Sequence, residues 1–363
     1  MRYLPAVGVA MLSHAGPGGS SHVARDLATA LELRGHSVSV VSPGPWRATL
    51  DASWDPWRLA QLERRLEGLV RDHGIDVIHY HYAWPFARVL DRLKRRMKSA
   101  APLIVGTLHG TDVTHPPDKS AIDALRSTDT LTTVSNAYAD LARQRLGLTL
   151  RPTVIANFVD PAAFPPSVDF TDPASGRPRP RLVHVSNFRP VKAPHGVVEM
   201  FAAVRERRDA ELWLIGDGPE LPSVLAALDR SGLRRDVRVL GYRTDVGRLL
   251  AQCDVLVMSS LEESFCLSAL EAMAAGLAVV GPDVGGFTEL TGHGRTGMLY
   301  ERGDFIAAAC LVEALLSDDQ LRLGLRRAAA EHARTFSVTA AVEAYLAVYS
   351  RALATTAFDR AAP

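Results

Sequence analysis

The sequence predicts an α/β protein made of two doubly wound units in tandem. Three observations carry this expectation. Short apolar, β-branched runs alternate with amphipathic segments of helical spacing through the first half of the chain. A proline-rich stretch near residue 170 interrupts the rhythm, and the same alternation then restarts. A length of 363 residues suits two domains.

The first element is an apolar run at 6–12, read as a strand. A helix at 20–34 follows, with Val23, Leu27, Ala30 and Leu31 on one stripe and Gly35 as its stop. Residues 37–42 form a β-branched strand, 59–72 a helix ended near Gly74, and 76–80 a strand. A strand at 103–108 runs into His109-Gly110-Thr111-Asp112, and strands at 130–135 and 153–155 complete the first half. Pro161, Pro165, Pro166, Pro173, Pro178 and Pro180 mark a linker. Strands at 181–186, 211–215, 237–240, 255–258 and 278–280, with helical segments between them, build the second half. A helix at 337–353 carries Val338, Val342, Tyr345, Leu346 and Tyr349. Alternating β and α units imply mostly parallel sheets covered on both faces, with ligands outside the carboxyl ends of the strands.

Charge and composition narrow the function. Lys plus Arg number 41 against 40 Asp plus Glu, a net charge of +1, so bulk electrostatics give no reason to expect a nucleic acid partner. No run of about 18 apolar residues occurs, so no membrane span is expected. The apolar start is broken by Pro5 and has no convincing cleavage site, and it reads as a first strand rather than a signal peptide. Cys253, Cys266 and Cys310 have neither disulfide-framework nor zinc-site spacing and fit a reduced, cytoplasmic protein. The chain contains no Asp-x-Asp, so no metal site is expected. His79 and His81 share one face of a strand without a third ligand at recognisable spacing, which favours lining or packing.

Four segments carry chemistry. Glu263 and Glu271 are eight apart, and Ser264 to Ser268 between them are expected at a helix start, where unpaired N–H groups and the helix dipole favour an anion. Glu271, about two turns into that helix, suits ribose hydroxyls, and Glu263 suits a sugar. Arg189 and Lys192, after the strand at 181–186, suit phosphate oxygens and the charge that grows on a leaving diphosphate. Gly16, Gly18 and Gly19 before Ser20 offer close backbone approach at another helix start. His109, at a strand's carboxyl end, can bond a sugar hydroxyl or support positive charge through its carbonyl.

These segments resemble, in order, the motifs of family 4 retaining GT-B glycosyltransferases. They are Gly18-Gly19-Ser20, His79 to Pro85, His109 to Asp112, Asn157-Phe158-Val159-Asp160, Ser186 to Lys192, Gly216 to Glu220, and the Glu263–Glu271 segment. The resemblance implies two Rossmann-like domains facing a cleft. Residues 1–162 would form the acceptor domain and 178–336 the nucleotide-sugar domain, with 337–363 packing back on the first. It implies a metal-independent, cofactor-free transfer with retention, from a UDP- or GDP-linked sugar to a small polar acceptor, and it is compatible with a homodimer.

By position, His109, Arg189, Lys192 and Glu263 would be catalytic. Gly19, Asn187, Gly216, Phe265, Cys266, Leu267 and Glu271 would bind the donor, and Ser20, Tyr82 and Thr111 the acceptor. Within the family the chain is most similar to the branch that joins N-acetylglucosamine to L-malate. Cys266 and Ser21 stand where that branch usually has Gly, and the stretches after Asp112 and between Ser42 and Trp57 are short. Two alternatives stay open, the first of them motivated by these departures. One is an S-glycosyltransferase of lincosamide-type antibiotic biosynthesis, using an activated octose and a thiol such as ergothioneine. The other is a degenerate nucleotide-sugar-binding protein.

Overall fold

The computed structural model describes residues 6–14, 19–42, 56–116, 118–165 and 179–361. The strands are β1 (Gly8–Leu12), β2 (Ser37–Val41), β3 (Ile75–His81), β4 (Leu103–Leu108), β5 (Thr130–Thr133), β6 (Thr153–Val154), β7 (Arg181–Val185), β8 (Glu211–Ile215), β9 (Val237–Gly241), β10 (Val255–Val257), β11 (Ala278–Pro282) and β12 (Met298–Tyr300). The helices of the first half are α1 (Gly19–Glu32), α2 (Pro56–His73), α3 (Phe86–Met97), α4 (Thr111–Thr114), α5 (Lys119–Leu125) and α6 (Asn136–Arg145). Those of the second are α7 (His195–Arg205), α8 (Leu221–Arg230), α9 (Val246–Leu250), α10 (Leu267–Ala274), α11 (Gly285–Leu290), α12 (Phe305–Ser317), α13 (Asp319–Ala333) and α14 (Val338–Ala361).

The chain divides into two compact units. One holds residues 1–157 and 338–363, the other Phe158–Ser337. Residues 158–162, expected with the first domain, group with the second. Val159 N–H donates to the Phe336 carbonyl at 3.0 Å, and Gly247 sits so close to the Ala163 carbonyl that a Cβ would collide with it.

The first unit is a parallel sheet in the order β2-β1-β3-β4-β5-β6. Every residue of β1 and β4 is buried, as expected for strands covered on both faces. Helix α1 buries Val23, Leu27 and Leu31 of the stripe read from the sequence, with Ala24 and Ala28 beside them, while Ala30 is half-buried. Ser135 and Asp118 cap α6 and α5 by accepting from Tyr138 and Ala121 N–H. Helix α14 packs on α1 and β4 and buries Tyr345 and Tyr349 in this unit.

The second unit has the order β9-β8-β7-β10-β11-β12, again parallel, around a core that includes Leu182, Phe201, Leu212, Leu214, Val255 and Val280. Strand order reverses between β1 and β3 in the first unit and between β7 and β10 in the second. In open α/β sheets of this kind, ligands sit outside the carboxyl ends of the strands at such a reversal. The loop segment Gly16-Pro17-Gly18, the centre of the linker with Pro166, Pro173 and Pro178, and most of the stretch between Ser42 and Trp57 lie outside the described residues.

Candidate active site

In the second unit the loops after β7 and β10 meet at the reversal of strand order. Leu261 N–H donates to the Val191 carbonyl at 2.9 Å, and Ser259 Oγ donates to the Lys192 carbonyl at 2.9 Å. These bonds bring together the two segments picked out from the sequence. Lys192 Nζ donates to Glu263 Oε1 at 2.6 Å, and Ser260 Oγ donates to the same oxygen at 2.7 Å. Burial alone would lower the Lys192 pKa, but the Glu263 carboxylate overrides it and the net shift is upward. Arg189 is close enough to press the other way. The site is therefore a charged pair with a second cation beside it.

Two glycines let the backbones approach. Gly216 has φ +117°, and a side chain there would strike the Ser186 carbonyl; one at Gly218 would strike the Asn187 carbonyl. Asn187 Oδ1 is buried without a hydrogen-bond partner. The Glu263 loop is clamped to α11, since Gly286 N–H donates to the Glu263 carbonyl at 2.8 Å and Gly286 itself lies against the Ser264 carbonyl.

Helix α10 starts later than the sequence reading placed it. Leu267 is its first residue, Ser264 and Phe265 belong to the preceding loop, and Glu271 lies in the second turn rather than two turns in. Cys266 is the N-cap, in the left-handed region at φ +78° and ψ +73°, a conformation that costs a residue with a Cβ about 1 kcal/mol. A glycine-like backbone therefore carries a buried thiol, whose Sγ lies 3.6 Å from Ser268 Oγ. Burial pushes this thiol up, so it stays protonated. Phe265 is buried edge-on against Phe336, with centroids 5.6 Å apart. The first-turn N–H groups of α10, at Leu267 and Ser268, have no acceptor inside the helix.

In the first unit Gly19 opens α1, with Ser20 half-buried beside it at the carboxyl end of β1. Thr111 Oγ1 donates to the Tyr82 hydroxyl at 3.2 Å, joining two residues selected for acceptor binding. His109 is tied to the same cluster through Asp112, a residue that sequence reasoning did not assign. The Asp112 carboxylate accepts from the N–H groups of His109, Gly110 and Ala83, at 2.7–3.2 Å. Burial outweighs those bonds and raises its pKa to about 6. The signal was present as an Asp three residues after the His, the spacing of a local side-chain-to-backbone turn.

His109 Nε2 lies 2.9 Å from His81 Nδ1 with the rings stacked, and burial drives its pKa down to about 3. His79 lies 2.7 Å from both Tyr349 OH and Thr107 Oγ1 and is likewise held near 3 by burial. The two strand histidines thus pack against β4 and α14 inside this unit, as a row of neutral imidazoles. Among the described residues, no group of three His, Cys, Asp or Glu is placed to hold a metal ion. Nor is any helix among them long and apolar enough to cross a membrane.

Comparison with known proteins adds to this geometry. Residues 17–163 match the family described as Glycosyltransferase Family 4, and residues 179–318 match Glycosyl transferases group 1. The N-acetyl-alpha-D-glucosaminyl L-malate synthase of Bacillus anthracis is 32% identical over 340 residues, spanning 86% of this chain and 88% of that protein. Sucrose-phosphate synthase (tll1590) from Thermosynechococcus elongatus superimposes with a TM-score of 0.82 at 19% identity, covering 96% of this chain and 100% of that one. Anabaena Alr3699/HepE in complex with UDP-glucose superimposes with a TM-score of 0.76 at 22% identity, covering 95% of this chain and 99% of that one.

Proposed function

The chain belongs to the family 4, group 1 glycosyltransferases, and on that premise we propose that it moves a sugar from a nucleotide sugar to a small polar acceptor, with retention and without a metal. It is a transferase of the GT-B class rather than a non-enzymatic binding protein. The observation that carries the proposal is the Lys192–Glu263 pair beside the N-terminus of α10, where the strand order reverses. Lys192 and Arg189 would hold the diphosphate, assisted by the N–H groups at the start of α10. They supply the positive charge that metal-dependent transferases take from a cation, and so stabilise the leaving group as the glycosidic C–O bond breaks. Glu271 would accept from ribose hydroxyls, and Glu263, freed in part from Lys192, from the transferred sugar. Asn187, Gly216, Phe265, Cys266 and Leu267 complete the donor side. In the first unit, Gly19, Ser20, the Tyr82–Thr111 hydroxyl pair and neutral His109 form the polar surface for acceptor and sugar hydroxyls.

UDP-N-acetylglucosamine and L-malate are the favoured substrates, since the relative that matches most of the chain is named for that product and a structural neighbour holds UDP-glucose. The three cysteine thiols, free of disulfides, fit a cytoplasmic reaction. A second reading, a thiol acceptor with a larger activated sugar, is favoured by one observation: the Cys266 side chain occupies a left-handed position in the donor loop. Incubation with UDP-N-acetylglucosamine and either L-malate or ergothioneine, followed by mass spectrometry and anomeric NMR coupling constants, decides between them. An α-linked malate product with release of UDP is expected. Absence of product with malate alongside transfer to the thiol would establish the second reading.

A further inference from the structure

We infer that His184 and Ser186 form a positioning relay that sets the Arg189–Lys192 loop, an inference resting on the reading of that loop as the diphosphate grip. The chemistry of its donors and acceptors fixes every direction in it. His184 Nδ1 lies 2.9 Å from the Val257 carbonyl, which can only accept, so Nδ1 carries the proton. In the neutral ring Nε2 is then an acceptor, and its partner at 2.9 Å is Ser186 Oγ, which donates. Ser186 Oγ in turn accepts the Phe188 N–H at 3.1 Å. The ring is fully buried, and burial lowers its pKa to about 4, so it is neutral at physiological pH.

What the relay holds is a strained turn. Phe188 has φ +40°, in the left-handed region, with its side chain wholly buried. Its N–H is held by Ser186, its carbonyl accepts from Glu220 N–H at 2.9 Å, and its ring packs edge-on to His184 with centroids 5.6 Å apart. Arg189 is the next residue, and Pro190–Lys192 form one 3-10 turn. The direction in which both cations leave the sheet is therefore set at Phe188. The anchor at the far end, the Val257 carbonyl, ends β10, the strand whose following loop carries Glu263. One buried imidazole thus ties the cation loop to the strand that delivers its partner. His184 and Ser186 touch no substrate in this account and act through Arg189 and Lys192.

The test is calorimetric titration of UDP and GDP into the full chain. Ser186→Ala removes the hydroxyl and Ser186→Thr retains it. We expect whichever nucleotide binds the wild type to bind Ser186→Ala about tenfold more weakly, the scale of one positioned hydrogen bond, and Ser186→Thr within about twofold of wild type. In a background lacking both cations (Arg189→Ala with Lys192→Ala), Ser186→Ala should cost less than about twofold, because the relay then has nothing to position. A merely structural role would give equal losses in the two backgrounds, and that result, or an unaltered affinity in Ser186→Ala, overturns the relay. His184→Asn keeps a donor for Val257 and loses the second ring nitrogen, and it should match Ser186→Ala; should it fail to fold, the Ser186 pair decides alone. Binding that ignores the loss of Arg189 and Lys192 overturns the diphosphate reading and the relay with it. Normal dependence on the cations with additive Ser186 losses overturns the relay only.

Discussion

Lys192 is held by Glu263 across 2.6 Å, with side chains only 20% and 5% exposed. A pair this buried costs more to break than to replace, because a lone charge is left without water. Lys192→Ala should therefore destabilise the second unit by about 3 kcal/mol. Glu263→Gln keeps an acceptor for the Ser260 hydroxyl but leaves the Lys192 ammonium without its counter-charge, and should also cost about 3 kcal/mol. The paired change Lys192→Met with Glu263→Gln should restore much of the melting temperature while the protein stays insensitive to added UDP. Thermal denaturation with and without UDP reads both quantities. If Lys192→Ala melts with the wild type, the ion pair has no structural weight. The same residue scale shows what sequence could reveal. The cations, both glutamates and the His109-to-Asp112 segment were legible because each residue type announces its chemistry. The bond from Ala83 to Asp112, the pairing of Tyr82 with Thr111 and the link from His184 to the Val257 carbonyl were not, because each depends on which loops the sheet order brings together.

Among the elements, periodicity located β1 to β11 to within about two residues and missed the short edge strand β12 (Met298–Tyr300). The strand read at 130–135 stops at Thr133, because Ser135 turns away to cap α6. The helix read from 264 starts at Leu267, because Cys266 takes a left-handed backbone that no helix continues through. Nothing in composition marks a left-handed cysteine, since only glycine advertises that conformation. That late start shortens the distance from the N-terminus of α10 to Glu271 to a little over one turn. The N–H groups suited to phosphate and the carboxylate suited to ribose are therefore neighbours on one short helix.

For the whole molecule, buried neutral histidines set the response to acid. Burial lowers the pKa of His14, His79, His81 and His109 in the first unit, and of His184 in the second. Their unfolded values stay near 6.5, so below that pH the unfolded chain binds more protons than the folded one. Stability is therefore full above about pH 6.5 and falls as pH drops toward 4. Asp112 works in the opposite sense. Its raised pKa makes the folded state the better proton binder between about pH 4 and 6, which offsets part of the loss. Between about pH 7 and 5.5 the first unit, with the larger set of deeply buried histidines, should therefore lose more stability than the second. Hydrogen exchange in peptides from β3 and β4 against those from β8, corrected for intrinsic rates, checks the difference; equal losses in the two units would contradict it. A crystal structure with UDP bound shows whether a nucleotide sugar is gripped at the reversal of strand order between β7 and β10. Diphosphate oxygens are expected on Arg189, Lys192 and the first N–H groups of α10, with ribose hydroxyls on Glu271. A nucleotide seated elsewhere, with the Lys192–Glu263 pair untouched, would contradict that grip.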